Sequence, residues 1–411
     1  MMAKLVADKT TGLVKLVEER ALSRKEEEKK KKQKENHVAY LPKDCVANIL
    51  VRLPLESLQR SRFVCKLWYK MVNSSIFIDA HLCRSETVLI FLTKGPMTSI
   101  PQEKPNTFSV EANLFQPQFL PLFLMDPKSK YYIQFMEIND GKCKMGEFNA
   151  TCLGNIRATC NGLILLDNKM KKGGVIVMNP VTRKLIALPV GTSFPPHNES
   201  YGLAFCNSTR EYKLVHLFRD EMHYIGCEIL ILGTRSWRVV DGPYLGLFSW
   251  FGYNPVFAIG ALHWVPDVDR SEYIVSMTMD NEKFHKIPLP KSSRSRDRIV
   301  EMGGLLCFVT HEETNQIDVW ILRSLFGEDW IKQHTIKLGC LKNMVPLYCS
   351  RIMGEMIFKD KKGFLCAYDF QSQVMKTVEM EVGFPINGCH LPHVNSLVSW
   401  QIEQKGEDFG D

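Results

Sequence analysis

Short apolar runs come in pairs throughout residues 175–378, and few folds can accommodate such a repeat. In each pair, two strand-like runs flank a polar turn. The pairs are 175–179 with 184–188, 227–232 with 237–240, 273–279 with 284–287, 317–322 with 330–336, and 364–368 with 374–378. Their anchors, Trp237, Phe284, Trp330 and Val374, recur at intervals of about 45 residues. Such a period predicts propeller blades of four strands, because each unit can bury its faces only against its neighbours.

The stretch from Glu86 to Phe148 is harder to assign to this repeat. Residues 87–92 and 131–136 have the composition of strands, whereas the segment from Pro96 onward is rich in Pro and Phe. We expect the segment from Pro96 to Phe148 to form a first, irregular blade. The number of blades stays open.

Residues 41–85 have a different period and form a separate unit. Pro42 and Pro54 mark two helix starts, since the first turn of a helix does not use the N–H that proline lacks. Apolar residues then follow at helical spacing, from Val46 to Leu53 and again from Val64 to Met71. A unit this short cannot hide so many large apolar side chains, so we expect it to bind a partner.

This stretch resembles an F-box. The residues that carry the resemblance are Leu41, Pro42, Asp44, Ile49, Leu50, Leu53, Pro54, Leu58, Arg60, Val64, Cys65, Lys66 and Trp68. The resemblance implies docking on the Skp-family adaptor of an SCF-type cullin–RING ubiquitin ligase. We expect the adaptor contact, or the packing that supports it, to come from Leu41, Pro42, Ile49, Leu50, Leu53, Pro54, Leu58, Val64 and Trp68.

Residues 150–400 resemble the F-box-associated domain of plant F-box proteins. The matching runs are 160–165 (CNGLIL), 179–184 (NPVTRK), 232–238 (LGTRSWR) and 260–264 (GALHW). The resemblance implies a kelch-like propeller that recognises a substrate. Residues 394–400 also look like the last strand of that family, which we expect to pair with 87–92 and close the ring.

The expected architecture is a small all-α F-box followed by an all-β propeller-like domain with repeats of about 45–50 residues. We expect a charged N-terminal segment at 1–36, the F-box at 37–85, the propeller at 86–402 and a C-terminal tail at 403–411. The run from Lys29 to Lys34 is expected to be an exposed helix, with a nuclear localisation signal as the alternative.

Composition excludes several classes of function. The net charge of +7 on 411 residues predicts no nucleic-acid face, and no apolar run approaches the roughly 18 residues of a membrane span. The N-terminus lacks the apolar segment of a secretory signal, and the thirteen cysteines show no C-x-x-C pair. We therefore expect a cytoplasmic or nuclear protein with free thiols and no disulfide framework.

No catalytic constellation, nucleotide fingerprint or cofactor motif is present in the sequence. The glycine pairs at 173–174 and 303–304 lie between strand-like runs and are interpreted as turns. Cys389, His390 and His393 resemble part of a metal site but lack a fourth ligand at suitable spacing, and His263 is interpreted as a packed strand residue. We expect neither metal nor cofactor.

The predicted function is therefore that of a substrate receptor. The F-box would bind the adaptor and, through it, the cullin and RING subunits, while loops on one propeller rim bind a protein substrate. Tyr244, Trp250, Tyr253, Asp267 and Tyr273, in two loops rich in aromatic and charged residues, are the candidate substrate contacts. The alternatives are a non-degradative scaffold and a propeller enzyme with acidic or His side chains in its central channel.

Overall fold

The structure, a computed structural model, describes residues 41–94, 131–151, 154–167, 174–192, 199–244, 251, 254–266, 270–312, 316–325, 329–337, 344–352, 354–360, 362–380 and 390–400. The chain divides into two compact units, Met1–Phe77 and Ile78–Asp411. The first unit is helical over its described residues, and the second is built almost entirely of strands. The predicted change of period thus corresponds to a change of architecture.

The two helices that were predicted from prolines are confirmed, and each described helix is about two turns long. The described helices are α1 (Lys43–Leu50), α2 (Leu55–Ser61), α3 (Lys66–Val72) and α4 (Ser75–Leu82), the last of which crosses the boundary between the units. Pro42 and Pro54 immediately precede α1 and α2 with φ of −51° and −56°. Cys65 starts α3, where its Sγ accepts a hydrogen bond from the backbone N–H of Trp68 at 3.5 Å.

The second unit contains six sheets of four antiparallel strands among its described residues. The strands are β1 (Thr87–Lys94), β2 (Tyr131–Asn139), β3 (Lys142–Thr151), β4 (Ile156–Cys160), β5 (Leu163–Asp167), β6 (Val175–Asn179), β7 (Lys184–Ala187), β8 (Glu199–Cys206), β9 (Glu211–Arg219), β10 (Ile225–Ile231), β11 (Arg238–Val240) and β12 (Val256–Ala258). They continue with β13 (Ala261–Trp264), β14 (Tyr273–Thr278), β15 (Phe284–Pro288), β16 (Arg298–Met302), β17 (Leu305–Glu312), β18 (Gln316–Leu322), β19 (Trp330–Lys337), β20 (Val345–Cys349), β21 (Glu355–Lys359), β22 (Leu365–Asp369), β23 (Val374–Thr377) and β24 (Leu391–Val394).

These sheets are the six blades of a β-propeller. Five blades take consecutive strands, from β4–β7 to β20–β23, and each predicted hairpin forms the two outer strands of one of them. The innermost strands contact one another in a cycle, in the order β24, β4, β8, β12, β16, β20 and back to β24. Six clusters of buried apolar side chains each join two neighbouring blades, as the repeat predicted.

The ring is closed by a blade made from both ends of the second unit. Its strand order is β24-β1-β2-β3, with Val394 opposite Thr87 and Leu391 opposite Ile90. The predicted partner of residues 87–92 is thus right, but the predicted strand 394–400 is wrong for all but its first residue. After Val394 the chain leaves the sheet, and the carbonyls of Ser396 and Val398 accept hydrogen bonds from the Asn179 amide at 3.1 and 2.8 Å.

The stretch predicted as an irregular first blade contributes to this closing blade. The predicted strand 131–136 is confirmed as part of β2, and β3 continues it across a tight turn at Asp140 and Gly141. Residues 96–130 of that prediction lie outside the described residues. Where it is described, the expected blade is a four-stranded sheet with a register shift between Tyr132 and Gln134, and its inner strand comes from the other end of the unit.

Strand order divides the connections between two faces of the propeller. Because neighbouring strands are antiparallel, the links from first to second and from third to fourth strand of each blade share one face, which we call the turn face. The links from second to third strand and from blade to blade share the other, which we call the loop face. The loop face carries the described ends of the β11–β12 and β13–β14 connections, in which substrate contacts were predicted.

The turn face is partly covered by the unit's own chain ends. Asp79 pairs with Arg210 in the β8–β9 turn, and Ile78 and Leu82 pack on the cluster between the first two consecutive blades. Glu86 accepts hydrogen bonds from the backbone N–H groups of Arg351 and Ile352 at 2.8 and 2.9 Å. Loops on a rigid scaffold are common binding elements, so the loop face is the better candidate for recognition.

Two buried histidines make the stability of the propeller sensitive to acid. His263 pairs with the Ser276 hydroxyl at 2.7 Å and the Ala258 carbonyl at 3.1 Å, whereas neither ring nitrogen of His393 has a hydrogen-bond partner among the described residues. Burial lowers the pKa of His263 from 6.5 to about 4 and that of His393 to about 3. The predicted packed role of His263 is what the structure shows.

We expect the free energy of unfolding to fall as the pH is lowered from 7 to 5. The unfolded chain takes up these protons near pH 6.5, whereas the folded chain resists them, so acid favours unfolding by about 2 kcal/mol per histidine at pH 5. Urea unfolding at the two pH values measures the loss. His393→Phe should remove about half of the difference; a stability that is equal at both pH values would contradict the prediction.

Candidate functional site

Large apolar side chains stand exposed on the helical unit. Phe63 is 90% exposed, Ile76 81%, Val64 62% and Ile49 53%. They lie on or beside the helices, while Val46, Leu50, Leu58 and Val72 are buried. Because so many large apolar side chains are rarely left in water on so short a unit, these four residues are a candidate protein-binding surface, which we call the apolar surface.

The nine predicted adaptor contacts fall into three groups by their burial. Leu41, Pro42, Ile49, Pro54 and Val64 are exposed, and Leu53 and Trp68 are half-buried. Leu50 and Leu58 are fully buried and can only support the surface from beneath. The direct contacts among them remain a prediction.

Sequence reasoning missed the two most exposed members of the apolar surface. Phe63 lies in the link between α2 and α3, and Ile76 lies at the start of α4. Neither belongs to the helical pattern used to choose candidates, which selects residues on one face of a helix. The available signal was an aromatic residue in a short polar link, next to Val64.

The predicted substrate contacts on the propeller are only partly described. Tyr244 follows β11 and is exposed, in keeping with a contact residue. Tyr273, at the start of β14, packs on a buried cluster, and its ring lies 4.8 Å from the Lys286 ammonium group. Trp250, Tyr253 and Asp267 lie outside the described residues. These assignments stay predictions.

A polar cavity of about 600 Å³ opens where two blades meet on the loop face, and the sequence analysis did not anticipate it. It is lined by Arg270, Lys291, Ser292, Arg294, Asp297, Thr310, His311 and Glu312. These residues come from the β13–β14 link, the β15–β16 connection and the end of β17. The missed signal was the basic run 291–298 (KSSRSRDR), which a count of net charge over the whole chain conceals.

A buried carboxylate lies behind this cavity. Burial opposes ionisation of Asp318, but hydrogen bonds from Lys332, Gln316 and Thr335 outweigh it and hold its pKa below the ordinary value. The Lys332 ammonium lies 2.7 Å from the carboxylate and the Lys291 ammonium 3.7 Å. Asp318 therefore pairs with two lysines, of which Lys291 lines the cavity.

Other chemistry is sparse in the part of the chain that the structure describes. No group of His, Cys, Asp and Glu there could hold a metal ion. Cys389, which the sequence analysis considered together with His390 and His393, lies outside that part. The ten described cysteines are free. Burial raises the pKa of Cys160 and of Cys349 to about 12, which keeps these thiols protonated and unreactive. None of the described helices has the length and apolar character of a membrane span.

Comparison with known proteins agrees with the two-part architecture. The F-box domain matches residues 40–79, and the F-box associated beta propeller domain matches residues 118–396. The F-box protein CPR1 of Arabidopsis thaliana is 23% identical over 385 residues, which cover 84% of this chain and 85% of that protein.

Two further relatives from the same plant resemble the chain over most of their length. The F-box protein At3g17710 is 25% identical over 87% of this chain and 97% of its own length. The F-box/kelch-repeat protein At3g23880 is 24% identical over 75% of this chain and 83% of its own. With a propeller match that spans more than half of the sequence, the chain belongs to the family of plant F-box proteins that carry the F-box associated beta propeller domain.

Proposed function

We propose that this protein is the substrate-recognition subunit of an SCF-type cullin–RING ubiquitin ligase. The F-box binds a Skp-family adaptor and, through it, the cullin and RING subunits, and the propeller binds a protein substrate. The substrate is then ubiquitinated and degraded. The observation that carries the proposal is the apolar surface, found on the very residues that match the F-box.

The mechanism is positional, and the protein itself catalyses no step. Holding a substrate on the propeller while the F-box holds the adaptor raises the effective concentration of substrate lysines near the ubiquitin-loaded enzyme. Ubiquitin transfer takes place on other subunits. A cytoplasmic or nuclear location belongs to the same proposal, because the ten cysteines that the structure describes are free thiols, which suit a reducing compartment.

Reconstitution tests the proposal. The full chain is co-expressed with a Skp-family adaptor, and the mixture is passed over a size-exclusion column together with cullin and RING subunits. We expect one complex that contains all four proteins. A chain that is folded by circular dichroism and elutes apart from the adaptor would contradict the proposal.

A second measurement separates a degradative receptor from a non-degradative scaffold. Proteins captured by the propeller are followed in plant cells before and after cullin inhibition. A receptor predicts that its captured proteins accumulate when the cullin is blocked. Unchanged levels, with adaptor binding intact, would overturn the degradative role.

A further inference from the structure

The link between β9 and β10 on the loop face is held in one conformation by the protein itself. Asp220 Oδ1 accepts the backbone N–H groups of Met222 and Tyr224 at 3.0 and 2.8 Å. The Asp220 N–H donates to the Tyr224 carbonyl at 2.9 Å, and the His223 N–H donates to the Asp220 carbonyl at 3.0 Å. These bonds fix the backbone of the link, so the side chains that it exposes are preorganised.

Three large side chains are exposed to water at this end of the blade. Met222, Tyr224 and Tyr244 are each more than half exposed. The chain that carries Tyr244 beyond β11 stays close to β10, because a Cβ on Gly242 would lie 1.9 Å from the Ile225 carbonyl oxygen. Each residue advances the chain by at most about 3.8 Å, so both tyrosines are within reach of one bound peptide segment.

The charge around these side chains is acidic. Glu221 and Asp241 are exposed, and neither carboxylate makes a hydrogen bond or ion pair to a described residue. The segments 219–225 and 239–244 hold three Asp or Glu residues and one basic residue, Arg219, although the whole chain has a net charge of +7 with histidine neutral. This end of the blade therefore presents negative charge without a partner beside apolar surface.

The link between β21 and β22 has the same backbone bonds and a different surface. Asp360 Oδ1 accepts the backbone N–H groups of Lys362 and Phe364, both at 2.8 Å. Phe364 is exposed as its counterpart Tyr224 is, but the sequence 360–364 is DKKGF where 220–224 is DEMHY. The two links thus share an exposed aromatic residue, whereas the acidic charge belongs to the β9–β10 link alone.

We propose that Glu221, Met222, Tyr224, Asp241 and Tyr244, which we call the tyrosine patch, bind a basic segment of a protein substrate in which arginine lies beside apolar residues. A guanidinium group both stacks on a tyrosine ring and pairs with a carboxylate. Tyrosine and methionine also supply contact area for apolar neighbours. An acidic partner would be repelled, and a wholly apolar one would bury the carboxylates unpaired. The inference rests on the proposed function in one respect, since the segment belongs to the protein that is ubiquitinated.

The test uses the full chain, with and without the adaptor, and three fluorescein-labelled peptide pools. In every pool the flanks alternate serine with leucine, valine or phenylalanine. The pools differ only at two central positions, which are arginine, citrulline or glutamate. Citrulline has the shape of arginine without its charge, so a comparison of these two pools isolates the charge. Fluorescence polarisation measures the affinities.

One variant removes the charge of the patch and keeps its shape. Glu221→Gln/Asp241→Asn replaces the two exposed carboxylates by amides. Its control, Glu147→Gln/Asp329→Asn, makes the same change at exposed residues on β3 and in the β18–β19 turn. We expect the wild type and the control to bind the arginine pool at least about tenfold more tightly than the citrulline pool, with glutamate weakest. The charge variant should reduce that ratio to about threefold or less.

A second variant removes the rings. Tyr224→Ser/Tyr244→Ser should weaken binding of the arginine and citrulline pools alike, by about fivefold or more, because both pools lose the same contact area. The control Ile352→Ser/Phe364→Ser removes two exposed apolar side chains elsewhere, one of them the counterpart of Tyr224. It should bind all three pools like the wild type.

Several outcomes would overturn the inference. They are a wild type that binds no pool or binds the arginine and citrulline pools equally, and a charge variant that keeps the wild-type ratio. Size-exclusion chromatography at the assay concentration tests another occupant. A dimer that Tyr224→Ser/Tyr244→Ser dissociates would assign the tyrosine patch to a second copy of this chain and overturn the substrate assignment.

Adaptor co-elution, measured on the same preparations, separates this inference from the proposed function. Intact adaptor binding without a preference for arginine overturns the tyrosine patch and leaves the receptor function standing. A preference for arginine without adaptor binding leaves the peptide-binding surface and overturns the receptor function.

Discussion

Replacing Ile49 and Val64 by aspartate is expected to weaken adaptor binding by at least about 100-fold. Both side chains are more than half exposed in the helical unit, so the substitutions should leave its interior intact. In a complex, each carboxylate would be buried among apolar groups without a partner, which costs several kcal/mol. Truncating one well-packed anchor at an interface typically costs about 2 kcal/mol or more.

The matched control places the same two charges on the propeller. Met222 and Val239 are 74% and 79% exposed, and Met222→Asp/Val239→Asp changes the net charge equally. Calorimetric titration of the adaptor into each full-length variant measures the affinity, with thermal unfolding as the check of folding. If the F-box variant binds like the control while both remain folded, the apolar surface is not the adaptor contact.

Replacing Asn179 is expected to lower the free energy of unfolding of the propeller by several times as much as replacing an exposed turn residue. The side chain is fully buried at the end of β6, and its amide donates to the carbonyls of Ser396 and Val398. Its Oδ1 accepts the backbone N–H groups of Val181 and Thr182 at 2.9 and 3.2 Å. Asn179→Ala leaves these groups without their partner and should lower the free energy of unfolding by about 3 kcal/mol.

Asn179→Asp sharpens this prediction. Aspartate keeps the acceptor for the turn but replaces the donor by a second oxygen, which then faces two carbonyl oxygens in a buried site. Asn179→Asp should therefore be at least as destabilising at pH 7 as Asn179→Ala, although it is the closer match in shape. Urea unfolding of the full chain measures both.

The control for Asn179 is an exposed asparagine in the corresponding turn of another blade. Asn281 occupies the β14–β15 turn and accepts the Lys283 backbone N–H at 3.1 Å, but it is exposed to water. Asn281→Ala should cost under about 1 kcal/mol, because water replaces the lost partner. Equal losses at Asn179 and Asn281 would show that Asn179 does not tie the C-terminal segment to the ring.

The sequence predicted correctly those elements whose local residue pattern alone specifies the structure that they adopt. The hairpins that form the two outer strands of each blade were predicted correctly. The first strand of each hairpin, such as β6, is an apolar run, and the turn after it carries polar residues such as Asn179. The helices α1 and α2 were predicted from Pro42 and Pro54 for the same reason. In each case the signal lies within a few residues of the element it specifies.

Prediction failed where a long-range contact decides the local structure. Residues 394–400 have the apolar composition of a strand, yet the chain leaves the sheet after Val394. There the carbonyls of Ser396 and Val398 accept hydrogen bonds from the Asn179 amide instead of from a neighbouring strand. The inner strand β24 includes Pro392, which lowers its strand propensity. Pairing with β1, which begins some 300 residues earlier, overrides that local preference.

The amino-acid sequence by itself determined that a small helical F-box precedes a chain of blades, since both patterns are local and periodic. Only the tertiary structure decided that the blades number six, that β24 closes the ring, and that Phe63 and Ile76 are exposed. It also decided that Arg270, Lys291 and Arg294 share one cavity. The physical reason is that ring closure, exposure and convergence depend on contacts between residues far apart in the chain, which no local period encodes.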